Sequence, residues 1–184
     1  MATTPHANLT GANLHEPKGI AGVPAKKVYL SDGLSSGNWT YSPTGFGFWR
    51  HGGAGLVATT TPQQLPIDGA GSNTTEVYEP PAIRGSSHLW DTTTNKITPI
   101  SLGDAYTCRI VLPFSATTGS PGHLTLQLDD SGVGTNIILE YYFVLTKTAP
   151  FTATATFTFF AGANLMANGG QFLVFTDSNT VTID

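Results

Sequence analysis

Charge is scarce in this 184-residue chain: 8 Lys and Arg with 12 Asp and Glu make up 11% of it. An ordinary domain carries about 25%. The formal net charge is −4, and no basic stripe is present, which excludes the usual electrostatic footprint of a nucleic-acid binder. Cysteine is nearly absent. Cys108 stands alone, so no intrachain disulfide can form. It alternates with core-type residues, where a thiol in apolar surroundings is inert rather than nucleophilic. No window approaches 18 uncharged apolar residues, so no membrane-spanning helix is expected. A basic segment followed by an apolar run is also missing near Met1, so synthesis and folding in a cytoplasm are expected. On that expectation the sequons at Asn8, Asn38 and Asn73 read as chance products of an Asn- and Thr-rich sequence.

Glycine, proline and threonine are abundant: 21, 12 and 28 residues. Glycine and proline together stay below the roughly 25–30% of low-complexity chains. The many β-branched and aromatic residues can bury surface, so the chain is expected to fold around one core.

Two textures divide the chain. Residues 1–43 are poor in apolar residues and punctuated by Pro5, Pro17, Pro24 and Pro43 and by several glycines. Proline fixes φ and removes a donor, which forbids a long helix there. Short strands are expected only at Val28–Leu30 and Trp39–Tyr41, giving an extended arm with a small hairpin. Such an arm buries too little to order itself, so a partner is expected to hold it.

Residues 44–184 form the second region, and its signal is period two. Tyr106, Cys108, Ile110 and Leu112 alternate with Thr107, Arg109 and Val111. Leu124, Leu126 and Leu128 share one face, as do Ile137, Leu139, Tyr141, Phe143 and Leu145. Ala153, Ala155, Phe157 and Phe159 oppose Thr152, Thr154, Thr156 and Thr158. Alternation of this kind lays one strand face on a core and the other in water or an interface. Earlier candidates are Leu56–Thr60, His88–Asp91 and Lys96–Ile100. Residues 161–168 are too short and too rich in small residues to stand alone as a helix. About eight strands predict an all-β fold: an antiparallel β-sandwich, jelly-roll-like, preceded by the extended N-terminal arm. Phe160, Tyr142 and Val111 fall on nominally polar faces, which points to burial between subunits and homo-oligomerisation; a homotrimer is expected on architecture rather than on any residue.

The chemistry-bearing residues are sparse. His6, His15, His51, His88 and His123 show no metal-ligand spacing, so no metal is expected. Asp129-Asp130-Ser131-Gly132 offers two carboxylates but lacks the further ligands of a calcium loop, and reads as a hairpin turn. Glu76 and Glu79 flank a loop; a glycosidase would need them to face a cleft. Gly45, Gly47, Gly52, Gly53 and Gly55 surround Phe46, Phe48, Trp49, Arg50 and His51, with no following helix to make a phosphate loop. Phe48 and Trp49, with Trp90, are candidates for an aromatic sugar-binding or subunit-docking patch. The plainer reading is an apolar tether for the arm, with Trp90 in the core. No cofactor is implied and no enzyme is expected.

The run Asn13-Leu14-His15-Glu16-Pro17-Lys18-Gly19-Ile20, followed by Val28-Tyr29, Asp32-Gly33, Ser36-Gly37 and Trp39, resembles an N-terminal pattern of tailed-bacteriophage virion proteins. There a His-x-Pro-Lys-Gly segment precedes a Val-Tyr strand, a Gly-Ser turn and a tryptophan. The match covers residues 8–41. The remainder looks like phage head-decoration (cement) proteins at the level of a β-sandwich with an arm. The resemblance implies a non-enzymatic structural protein on the capsid exterior of the virion. It would stabilise the particle by binding the major capsid protein through the arm, with His15, Pro17, Lys18, Trp39 and Tyr41 as contacts. The alternative is a tail-fibre or tail-associated receptor-binding domain that recognises host surface glycans through loop residues Trp49, Trp90 or Tyr78. Neither reading calls for nucleic acid or membrane as a partner.

Overall fold

The computed structural model describes residues 27–31, 37–41, 44–51, 55–68, 74–80, 88–116, 122–145, 150–177 and 180–184. The chain divides into two compact units, Met1–Gly45 with Pro80–Ala82 and Phe46–Glu79 with Ile83–Asp184.

The first unit contains a hairpin. Strand β1 (Lys27–Ser31) pairs antiparallel with β2 (Gly37–Tyr41), Tyr29 opposite Trp39 and Lys27 opposite Tyr41.

The second unit is an all-β antiparallel sandwich. Its strands are β3 (Leu56–Ala58), β4 (Gln63–Gln64), β5 (Trp90–Asp91), β6 (Lys96–Ile97), β7 (Ala105–Ala116), β8 (Gly122–Asp129), β9 (Ile137–Leu145), β10 (Phe151–Phe160), β11 (Gln171–Thr176) and β12 (Val181–Ile183). Two four-stranded sheets run β10-β7-β12-β3 and β4-β11-β8-β9, while β5 and β6 form a small separate hairpin. The pairing is nested. The first sandwich strand, β3, pairs with the last, β12; β4 pairs with β11, β7 with β10, and β8 with β9. Successive nested pairs fall alternately in the two sheets, which is the winding of a jelly roll.

The period-two runs explain the layers. Ile110, Leu112 and Phe114 of β7, with Ala155, Phe157 and Phe159 of β10, face Leu124, Leu126, Leu128, Phe172 and Val174 of the other sheet, all in one buried cluster. Phe172 is its hub, its ring 6.0 Å from that of Trp90 and 5.8 Å from that of Phe157. The alternate residues point outward: Thr152, Thr154, Thr156 and Thr158 are all exposed.

A short helix, α1 (Ala163–Asn168), departs from the sequence expectation. Six residues cannot hold a helix by propensity. Leu165 is inserted completely into the core, and Gly169, at φ 71°, ends the turn by donating its N–H to the Leu165 carbonyl. Packing supplies what local sequence lacks.

Residues 130–136 link β8 to β9 around the fully buried Asp129. Its Oδ1 accepts from Ser131 N, Ser131 Oγ and Asn136 N; its Oδ2 accepts from Gly134 N at 2.9 Å and Gln171 Nε2 at 2.8 Å. Gly134 has φ 77°, a conformation costly for other residues. Five donors saturate the roughly four lone-pair sites of a carboxylate. The motif is a turn anchor, with no lone pair left for a cation.

Candidate functional site

The sequence-nominated arm residues fall in two groups. His15, Pro17 and Lys18 lie outside the described residues. Trp39 and Tyr41 occupy alternate positions on β2, opposite Tyr29 and Lys27.

In the sandwich unit, Phe48, Trp49 and Trp90 do not form one patch. Trp90 is a core residue, 5% exposed, and its indole N–H donates to the Ile67 carbonyl at 2.7 Å. Stacked on Phe172, it has no face to offer a sugar. Phe48 is exposed and pairs by backbone with Thr75: Phe48 N to Thr75 O at 2.9 Å and Thr75 N to Phe48 O at 2.7 Å. Phe46 reaches the same loop, donating its N–H to the Tyr78 carbonyl, and its ring stacks on Tyr78 with centroids 5.0 Å apart. Phe46, Phe48, Val77 and Tyr78 are each more than half exposed. Together they make an apolar surface at the start of the sandwich unit, of which the sequence reading places only Phe48 in an aromatic patch. Tyr78 carried only a loop-residue hint, because its contact with Phe46 spans 32 residues of chain.

Trp49 turns the other way. It is half-buried, and its indole N–H donates to Glu76 Oε1 at 2.8 Å. The ring lies directly over Gly47: a Cβ there would overlap Trp49 Cη2, so only glycine leaves room for it. Glu76 then meets His88 Nε2 at 3.5 Å, and His88 Nδ1 lies 2.7 Å from Glu79 Oε2. Glu79 is fully buried and its Oε1 also accepts from Leu89 N at 2.6 Å. The result is a chain Trp49–Glu76–His88–Glu79–Leu89 that ties residues 74–79 to 88–89.

The hydrogen bond to Glu79 holds His88 above the usual imidazole range, against partial burial that pulls it down; the charges of Glu76 and Glu79 add to the rise. A carboxylate faces each ring nitrogen, Glu79 at hydrogen-bond distance and Glu76 at 3.5 Å, so neither nitrogen is open to a substrate proton. This arrangement fits a charged staple better than a general acid and base. Cys108 is similarly unsuited to nucleophilic work, since burial pushes its thiol up to about 11. Among the described residues, no group of three or more His, Cys, Asp or Glu side chains is disposed so that it could hold a metal ion.

The staple carries a pH prediction. A histidine raised by folding contributes stability that is fully present below its ordinary value near 6.5 and is lost as pH rises through the higher folded value. Thermal unfolding followed from pH 6 to pH 9 is expected to show a decline that His88→Gln flattens. Glu79→Ala, which strands the Leu89 N–H and His88 together, is expected to cost about 2–3 kcal/mol at pH 6. A parallel decline in wild type and His88→Gln would remove His88 as its cause.

No protein-family model matches the chain, and comparison with curated proteins finds no match.

Proposed function

We propose that the chain is a non-enzymatic structural component of a tailed-phage virion, which decorates the capsid and stabilises it by binding the major capsid protein through its N-terminal arm. The observation that carries this reading is the exposed apolar surface of Phe46, Phe48, Val77 and Tyr78, on the first residues after the arm and on the loop they pair with. Apolar patches of this kind on a folded domain mark interaction sites. Here the patch continues the arm in sequence, so arm and patch would dock together on a capsid subunit.

The outer sheet faces support the same reading. Val111, Tyr142, Val144 and Phe160 stand 47%, 58%, 62% and 69% exposed, a surface suited to assembly rather than to free solution. The function would be mechanical: each copy adds buried area at subunit contacts, and repeated attachment makes detachment slow.

Quantitative mass spectrometry of purified virions, against the major capsid protein, tests this. Hundreds of copies in simple ratio to the capsid protein are expected. A few tens or fewer would instead indicate a tail component, and attention would move to glycan binding by the exposed Tyr78 and Phe46 rings. Absence from the particle would overturn both.

A further inference from the structure

The sandwich treats its two side walls differently. On one wall the sheets end in β3 and β4, three and two residues long. On the other they end in β10 and β9, ten and nine residues long. These two long edges lie side by side, with the Tyr141 ring edge-on to Phe157 at 6.2 Å.

Among the described residues, β10 pairs with β7 alone and β9 with β8 alone. Every second residue of an antiparallel edge strand turns its N–H and C=O away from its neighbour, so β10 offers about five residues of unpaired ladder. Natural sheets blunt such edges by shortness, lysine, proline or a bulge. Shortness blunts β3 and β4. In contrast, β10 reads Phe-Thr-Ala-Thr-Ala-Thr-Phe-Thr-Phe-Phe, with no charge and no proline, and its ten-residue pairing with β7 has no register break. The single charge on β9, Glu140, is taken by Gln127 and Tyr142.

We propose that β10 pairs antiparallel with the β10 of a second copy, about a two-fold axis at Ala155, joining two four-stranded sheets into one of eight strands. The occupant is inferred from self-complementarity. Rotation about Ala155 sets Phe151 opposite Phe159, Thr152 opposite Thr158, Thr154 opposite Thr156, and Phe157 opposite the small Ala153. Threonine meets threonine on the outer face and aromatic meets aromatic or a small residue on the inner face, pairs that stabilise antiparallel neighbours. No like charges oppose each other. A two-fold contact needs such a patch to match itself.

The dimensions suffice. Nine paired residues at about 3.4 Å span roughly 30 Å, and two sheets about 10 Å apart with their side chains make a wall roughly 20 Å high. That is roughly 600 Å² per partner and roughly 1,200 Å² in total, the lower end of stable interfaces. Tyr141, core-facing yet 43% exposed, would become interior. The inference stands apart from the virion reading, since the contact forms between copies of this chain alone.

The test uses the full chain. Light scattering after size exclusion is expected to give twice the 19.3 kDa chain mass; a monomer at about 100 μM, or a trimer, overturns the proposal. Thr154→Lys with Thr156→Lys, both at exposed positions, sets lysines opposite each other and is expected to weaken the dimer at least 100-fold. The corresponding double change to Glu should do the same, and mixing the two variants should restore a dimer. Unchanged association of the lysine variant overturns the assignment to β10. Hydrogen exchange on the wild type needs no variant: alternate β10 amides should be protected in the dimer and exchange rapidly on dilution to monomer. Rapid exchange while dimeric overturns the proposal, as does equal protection in dimer and monomer, the signature of a strand from the chain's own arm.

Discussion

Asp129→Ala is expected to lower the free energy of unfolding by about 4 kcal/mol at pH 7, the largest single-residue effect outside the apolar core. The magnitude follows from what the carboxylate holds. It is fully buried and receives five hydrogen bonds from Ser131, Gly134, Asn136 and Gln171. Bonds to a charged group contribute about 1.5–3 kcal/mol each, and donors stranded in the interior cost roughly 1–3 kcal/mol. Partial relaxation of the 130–136 turn towards solvent keeps the total well below their sum. Total stability of a domain is only about 5–15 kcal/mol, so the variant should be marginal at 37 °C.

The same residue makes a pH prediction. Burial alone would raise the Asp129 carboxyl, but the bonds from Ser131, Gly134 and Gln171 outweigh it and bring it down to about 2. A depressed carboxylate contributes stability that is present above its unfolded value near 3.9 and lost as pH falls through the folded value. The difference from the ordinary value corresponds to roughly 2 kcal/mol. Urea unfolding at pH 7 and pH 2.5 checks both parts. The gap between wild type and Asp129→Ala should narrow by about that amount at the lower pH; a gap independent of pH would show that charge is not what the turn uses. Asp129→Asn, which keeps the shape but turns an NH₂ towards two donors, should cost about 2–3 kcal/mol.

Removal of residues 1–43 is expected to abolish attachment to the capsid, at least a 100-fold loss, while the sandwich stays folded. The second half of this expectation rests on the core. Every buried residue of the hydrophobic cluster lies at Ala58 or beyond, and all the nested strand pairs lie within residues 56–183. The truncated chain therefore keeps its buried apolar surface, the main favourable term in folding. The first half rests on the proposed docking role: repeated arm contacts on one particle act in concert, so losing each of them removes avidity as well as affinity. Co-sedimentation of full-length and truncated protein with capsids lacking it measures the binding, and far-UV circular dichroism with a thermal melt confirms the fold. Full binding by the folded truncation would place docking on the sandwich alone, with Phe46, Phe48 and Tyr78 the first residues to change.

Period-two alternation located β7, β8, β9 and β10 and most of their inward faces, whereas β11, buried along nearly its whole length, carries no such alternation and is legible only in the fold. Leu124, Leu126 and Leu128 point into the core as their spacing requires, because side-chain direction in a strand is set by the local pleat. The turn at Asp129 was legible for the same reason: Asp, Ser and Gly satisfy turn geometry within a few residues. The candidate site was legible only in pieces. Glu76, Glu79 and Trp49 were noticed as residues, but nothing local says that His88 bridges the two carboxylates, since that contact depends on the path of the chain between residues 79 and 88.

What the sequence by itself determined, then, is the all-β class, the positions of β7 to β10 and of the arm hairpin, and the division between their apolar and polar faces, each written in contacts between near neighbours. Strand order, which strands become edges, the burial of Trp90 against Phe172, the six-residue helix held by Leu165 and the reach of Gln171 to Asp129 across 42 residues were decided by the tertiary structure. These depend on which distant segments meet once loop closure has been offset by burial. A strand carries the same alternation whether it lies at the centre of a sheet or at its edge: β7, which holds Arg109 and Pro113, has two neighbours, and β10, with neither charge nor proline, has one.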